Sequence, residues 1–136
     1  MLIKFLSGTY KEVVTLRGAN LSGADLHDAL GLAQLSIISA GTLQVYKKTR
    51  QGVITLLIPT NVERVNAYGS RKCRAASAYV LETPEHANCI SRHDPDFIYA
   101  EGKTVKPASY DPDPRVECSH GIHFFITRKE AEEYQC

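Results

Sequence analysis

The chain has no tryptophan, a single methionine and no apolar run approaching the roughly 18 residues of a membrane span. The apolar stretch in Met1–Gly8 is too short for the core of a secretory leader, so the sequence reads as cytoplasmic with no membrane partner. An excess of charge is missing too. The formal net charge is +1 with five histidines taken as neutral. Bulk electrostatics therefore gives no strong nucleic-acid signal, and any affinity for phosphate must come from local clustering. Cysteine pairs are also lacking. Cys73, Cys89, Cys118 and Cys136 lie far apart with no C-x-x-C spacing, which is neither a disulfide framework nor a zinc ribbon. They read as reduced thiols, and no cofactor is expected.

What is present suffices for one core: 136 residues, 43% of them apolar. The expected organisation is a single domain over 1–136, with a flank at 16–40 and a body at 43–136. The flank is unusual. Leu16, Leu21 and Leu26 recur every five residues, with Ala19 and Ala24 each two places before the next leucine. The same stretch satisfies a helical period, with Leu26, Ala29, Leu30, Ala33 and Ile37 falling on one face, while Gly23 and Gly31 weaken a helix by about 1 kcal/mol each. A helix and a solenoid edge both remain open. A solenoid coil buries its inner face only against neighbours, roughly three stacked units at minimum, and this stretch supplies less than one full coil.

The body reads as strands. Leu43–Lys48 and Val53–Ile58 flank a turn as a hairpin, Thr60–Glu63 fits a capping box opening a helical turn, and 74–82 alternates as one strand. Residues 83–96 form a loop, 96–106 a second hairpin, and 107–114 another loop. Gly121–Ile126 reads as a strand. Thr127–Glu130 is a capping box for a short final helix with Ala131 and Tyr134 on one face. The fold class is α+β, mainly antiparallel sheet with a short C-terminal helix.

Two resemblances follow from these residues. The A-(N/D)-L-x-x spacing at about 16–33 resembles the pentapeptide-repeat family, whose units wind a square β-helix. From about residue 46 to the end, the chain resembles an uncharacterised domain found after pentapeptide repeats in bacteriophage proteins. The carrying residues include Tyr46-Lys-Lys, Gly52-Val-Ile, Lys72-Cys-Arg-Ala, Glu101-Gly-Lys-Thr-Val and Cys118-Ser-His-Gly-Ile-His-Phe-Phe-Ile-Thr. The resemblance implies a phage origin and a fold, with no established activity. The short repeat region departs from typical members. Phage accessory proteins of this size often act against host defences that signal with nucleotides, which sets a context rather than a mechanism.

The charges are polarised along the chain. Between Lys47 and Arg74 lie Lys47, Lys48, Arg50, Arg64, Arg71, Lys72 and Arg74 against the single acid Glu63, whereas acids predominate over 82–117. Lys72 and Arg74 would project from one face of a strand, and two adjacent cations repel unless an anion lies between them. They are the leading candidates for a phosphate clamp, with Arg71 in reserve and Lys48, Arg64 and Tyr46 as further contacts. The plainer reading is that these charges pair across the fold or face solvent.

Cys118-x-His120-x-x-His123 is the one cluster of potential metal ligands, but it lacks a zinc motif's paired spacing and would need His86, Cys89 or His93 to complete it. Acid–base use of His120 and His123 needs no metal. His123 alternates with Ile122 and Phe124 and reads equally well as a core histidine.

These residues support three functional expectations. The first is a phage accessory, counter-defence protein binding a small phosphate-bearing ligand such as a cyclic nucleotide signal. The second is a metal-independent phosphodiesterase acting on such a signal through His120 and His123. The third is a protein-interaction module without a small ligand. A homo-oligomer is left open.

Overall fold

A computed structural model describes residues 37–135, and the expectations for the repeat-like flank up to residue 36 lie outside the described residues. Within them the architecture is mainly antiparallel sheet, with one short helix at the C-terminal end.

Strands β1 (Leu43–Thr49) and β2 (Gly52–Ile58) form the expected hairpin, with Thr49 opposite Gly52 across a two-residue loop. Thr49 closes the turn: its hydroxyl donates to the Gly52 carbonyl at 2.7 Å and accepts from the Gln51 amide. Gly52 takes φ +128°, a value side-chain-bearing residues rarely adopt, which explains glycine at that point. Alternation then sorts the residues. Val45, Ile54, Leu56 and Ile58 are fully buried and form the centre of the core with Val80.

The chain continues through β3 (Arg64–Asn66), β4 (Cys73–Ala75), β5 (Ala78–Glu82), β6 (Cys89–Ile90), β7 (Ile98–Tyr99), β8 (Thr104–Val105), β9 (Ile122–Phe124) and helix α1 (Arg128–Glu133). One sheet has the order β1-β2-β5-β8, a second β3-β4-β9, and β6 and β7 pair by themselves. The two larger sheets are stitched where Tyr46 of β1 and Phe125, just past β9, exchange both backbone hydrogen bonds at 2.9 and 2.7 Å.

Three sequence expectations are corrected. The strand read over 74–82 is two strands in different sheets, because the chain leaves the second sheet at Ala76, whose amide bonds to the Glu63 carbonyl, before entering the first. The hairpin read over 96–106 does not close on itself. The turn at Ala100–Lys103 sends β7 to β6 and β8 to β5, and the Gly102 amide bonds to the Val80 carbonyl. Thr60–Glu63 forms only a tight turn, Val62 amide to Pro59 carbonyl; a lone helical turn is costly to nucleate. The second capping box holds. The Thr127 hydroxyl accepts from the Glu130 amide at 3.2 Å, and α1 buries Ala131.

Candidate functional site

Strand β9 lies against β4, with Arg74 opposite His123 and Cys73 opposite Phe124. Side chains of opposed residues share a face, so the register places Arg74 and His123 together, and Phe125 follows two residues beyond His123. The strand begins beside Gly121 at φ +148°, where a Cβ would lie 3.1 Å from the Arg74 Cβ and 3.3 Å from the Ala75 carbonyl oxygen. Any larger residue would push β9 away from β4.

Two adjoining hollows open on this region. A narrow recess of about 20 Å³ is walled by Lys47, Lys48, Lys72, Arg92, His93 and His123, with Phe125 and Tyr134 as its apolar side. A cleft of about 310 Å³ shares Lys47, His93 and His123 with it and runs past Phe97, Tyr99, Ser109 and His120. Lys72 is held by the Tyr134 hydroxyl at 2.8 Å and lies 3.6 Å from the Cys118 thiol. Burial pulls its pKa down, but Tyr134 and Cys118 outweigh that, and the net direction is upward. Lys72 therefore stays charged. Lys48 donates to the carbonyls of Glu132 and Tyr134 at the end of α1, and Lys47 to the His123 carbonyl. Among the described residues, no carboxylate forms an ion pair with Lys48, Lys72 or Arg92.

His123 sits among these cations. Burial, and then Lys47, Lys72, Arg74 and His93, push its pKa down to about 3. Its Nε2 is out of contact with solvent and has no hydrogen-bond partner among the described residues. His93 is lowered in the same direction, by burial and then by Lys47, Lys72 and Arg92. Burial is the larger cause at both imidazoles, and Lys47 and Lys72 act on each in the same direction.

The structure brings together only part of the expected set. Lys72, Lys48 and His123 meet in the recess, and His120 lines the adjoining cleft. Arg74 shares the strand face with Lys72, but it is 1% exposed and its guanidinium donates to the carbonyls of Asp111, Asp113, Val116 and Glu117. It anchors the 111–117 loop and is not a clamp. Arg71 is paired with Glu130 through two hydrogen bonds of 2.5 and 3.0 Å. Arg64 donates to the carbonyls of Ser39, Gly41, Pro59 and Val62. The Tyr46 ring lies under Arg128 and outside both hollows.

Sequence reasoning did not place Arg92, His93 or Tyr134 in an anion site: His93 was weighed only as a metal ligand and Tyr134 only as part of a helix face, with Lys47 noted only as one of a basic run. Lys47 carried a signal: it lies between Val45 and Thr49 on the inward register of β1, where a lysine is out of place unless it serves something. Arg92 and His93 sit in a loop and had none. Cys73 and Cys89 are buried and Cys118 is exposed, all three as free thiols. Among the described residues, no three His, Cys, Asp or Glu side chains gather as a metal site.

Residues 33–131 match a family described as a family of unknown function, DUF5758. The chain belongs to that family. Neither a curated protein nor a solved structure matches it. In this DUF5758 member the matched span takes in the whole recess apart from Tyr134, so the site is built almost entirely from the family's own segment. No helix among the described residues is long and apolar enough to cross a membrane.

Proposed function

We propose that this DUF5758 protein binds a small phosphate-bearing ligand in the recess and cleft around His123. One observation carries the reading: Lys48, Lys72 and Arg92 converge, without carboxylate partners among the described residues, beside a buried imidazole nitrogen that has no hydrogen-bond partner among them. Cations brought together in this way repel, and a bound anion relieves the repulsion while giving the imidazole a partner. The resemblance to domains that follow pentapeptide repeats in phage proteins supports an accessory, counter-defence role, in which the ligand is a nucleotide signal of the host. The test is incubation with cyclic and linear nucleotides, removal of unbound compound, denaturation and chromatography. Intact nucleotide released from the protein is the expected result, and retention of none would end the reading.

A second reading draws on the cleft itself, which both His120 and His123 line. This pair would serve a metal-independent phosphodiesterase. At neutral pH a group with a pKa of about 3 is not in its imidazolium form, so His123 would act as base and His120 as acid. So weak a base abstracts a proton poorly, which favours binding over cleavage. Recovery of an altered nucleotide in the same experiment would reverse that order.

A further inference from the structure

Part of the cleft comes from the two ends of a single loop. Pro107, Ala108 and Ser109 line it from the start of that loop, and Ser119, His120 and Gly121 from its end. The chain between β8 and β9 is irregular along its length, so bonds from side chains must give it its shape. Arg74 supplies the first of them. Its stem packs against Gly121, where an added Cβ would lie 3.1 Å from the Arg74 Cβ and 3.3 Å from its Cδ, and its Nε donates to the Asp111 carbonyl at 2.6 Å. Asp111 carries the connection onward. Its amide donates to the His120 carbonyl at 2.9 Å, and its carboxylate accepts from the Ser119 hydroxyl and, at 2.9 Å, from the Asp113 amide. One residue thus joins a buried guanidinium to the Ser119–His120 end of the loop. Asp111 lines neither hollow, so it acts through these neighbours.

Resting on the reading of this cleft as a ligand site, we infer that Asp111 is its positioning residue, fixing Ser119 and His120 against the Arg74-anchored loop so that a ligand meets a wall already in place. A wall ordered beforehand spares the ligand the cost of ordering it. The carboxylate is the part that can be tested, because the backbone amide and carbonyl of residue 111 remain in any variant.

The test is nuclear magnetic resonance of histidine rings and backbone amides in the whole chain, free and titrated with adenosine, guanosine, cytidine and uridine 5′-monophosphates. Asp111→Ala should move the His120 ring signals and the amides of Ser119 and Gly121, leave the ring of His86 beside Glu101 unmoved, and weaken binding of the preferred nucleotide about threefold to tenfold, the scale of one hydrogen bond. Asp111→Asn should restore both. Its amide oxygen can accept from Asp113 while its NH₂ donates to the Ser119 hydroxyl, so placement survives without the charge. Ser119→Ala, which cuts one of the same bonds from the other side, should move the His120 signals likewise, in case Asp111→Ala folds poorly. His120 signals that stay still in both alanine variants, native affinity in Asp111→Ala, or an Asp111→Asn variant as disturbed as Asp111→Ala would each overturn the positioning inference and leave the ligand site standing. Binding of none of the four nucleotides by the native chain would overturn the ligand site and the inference that rests on it.

Discussion

At the scale of single residues, Lys72, just before β4, and Arg74 within it have opposite jobs although they are two positions apart. Arg74 organises the 111–117 loop by donating to four carbonyls, so Arg74→Ala removes those hydrogen bonds together with the buried side chain that makes them. A loss of about 3 kcal/mol or more is expected in urea denaturation. Lys72→Ala should cost less stability but weaken ligand binding by about 1.5–3 kcal/mol, the range for hydrogen bonds to charged groups. Alternation revealed that the two share a face. It could not reveal that one head group reaches a pocket and the other a loop, because the loop's carbonyls arrive from residues some 40 positions away. His123 gives a second test. Its folded pKa, about 3, lies below the ordinary 6.5, so the unfolded chain binds more protons between those values. Its contribution to stability is full above about pH 6.5 and drains away as pH falls towards about 3. The melting temperature of the native protein should therefore drop further between pH 7 and pH 5 than that of His123→Gln. Equal drops would mean that the imidazole is not held neutral by its surroundings.

At the scale of elements, local signals were legible where the partner is near in sequence and illegible where it is not. The β1–β2 hairpin and the Thr127–Glu130 cap were readable because each is closed by residues two or three positions apart. Strands β4 and β5 were not separable in the sequence, since alternation continues across Ala76 and Ser77 while the chain changes sheets. Nor was the fate of β7 and β8, which is set by the remote pairings with β6 and β5. The cap carries a prediction. Thr127→Ala should destabilise by about 1 kcal/mol in denaturant titration and shorten α1. Since α1 positions Tyr134, which holds Lys72 and packs on Phe125 with ring centroids 5.1 Å apart, the same variant should weaken ligand binding. Unchanged binding would separate the helix from the site.

At the scale of the described body, the β3-β4-β9 sheet, the stitch to β1 at Phe125 and the end of α1 bring basic side chains from distant parts of the sequence around one imidazole. The near-neutral net charge of the chain hides this, because the acids of 82–117 offset the cations in the count without pairing with Lys48, Lys72 or Arg92. The candidate site was half legible. The basic run and the two histidines pointed to it, while Arg92, His93 and Tyr134 enter only through tertiary contact. The most direct test of an anion site here is nuclear magnetic resonance of the histidine ring nitrogens during titration with nucleoside 5′-monophosphates. The account predicts saturable shifts at His123 and His93, with His86, which pairs with Glu101 away from both hollows, unmoved. Rings of His123 and His93 that stay still at saturating nucleotide, or shifts confined to other residues, would contradict it.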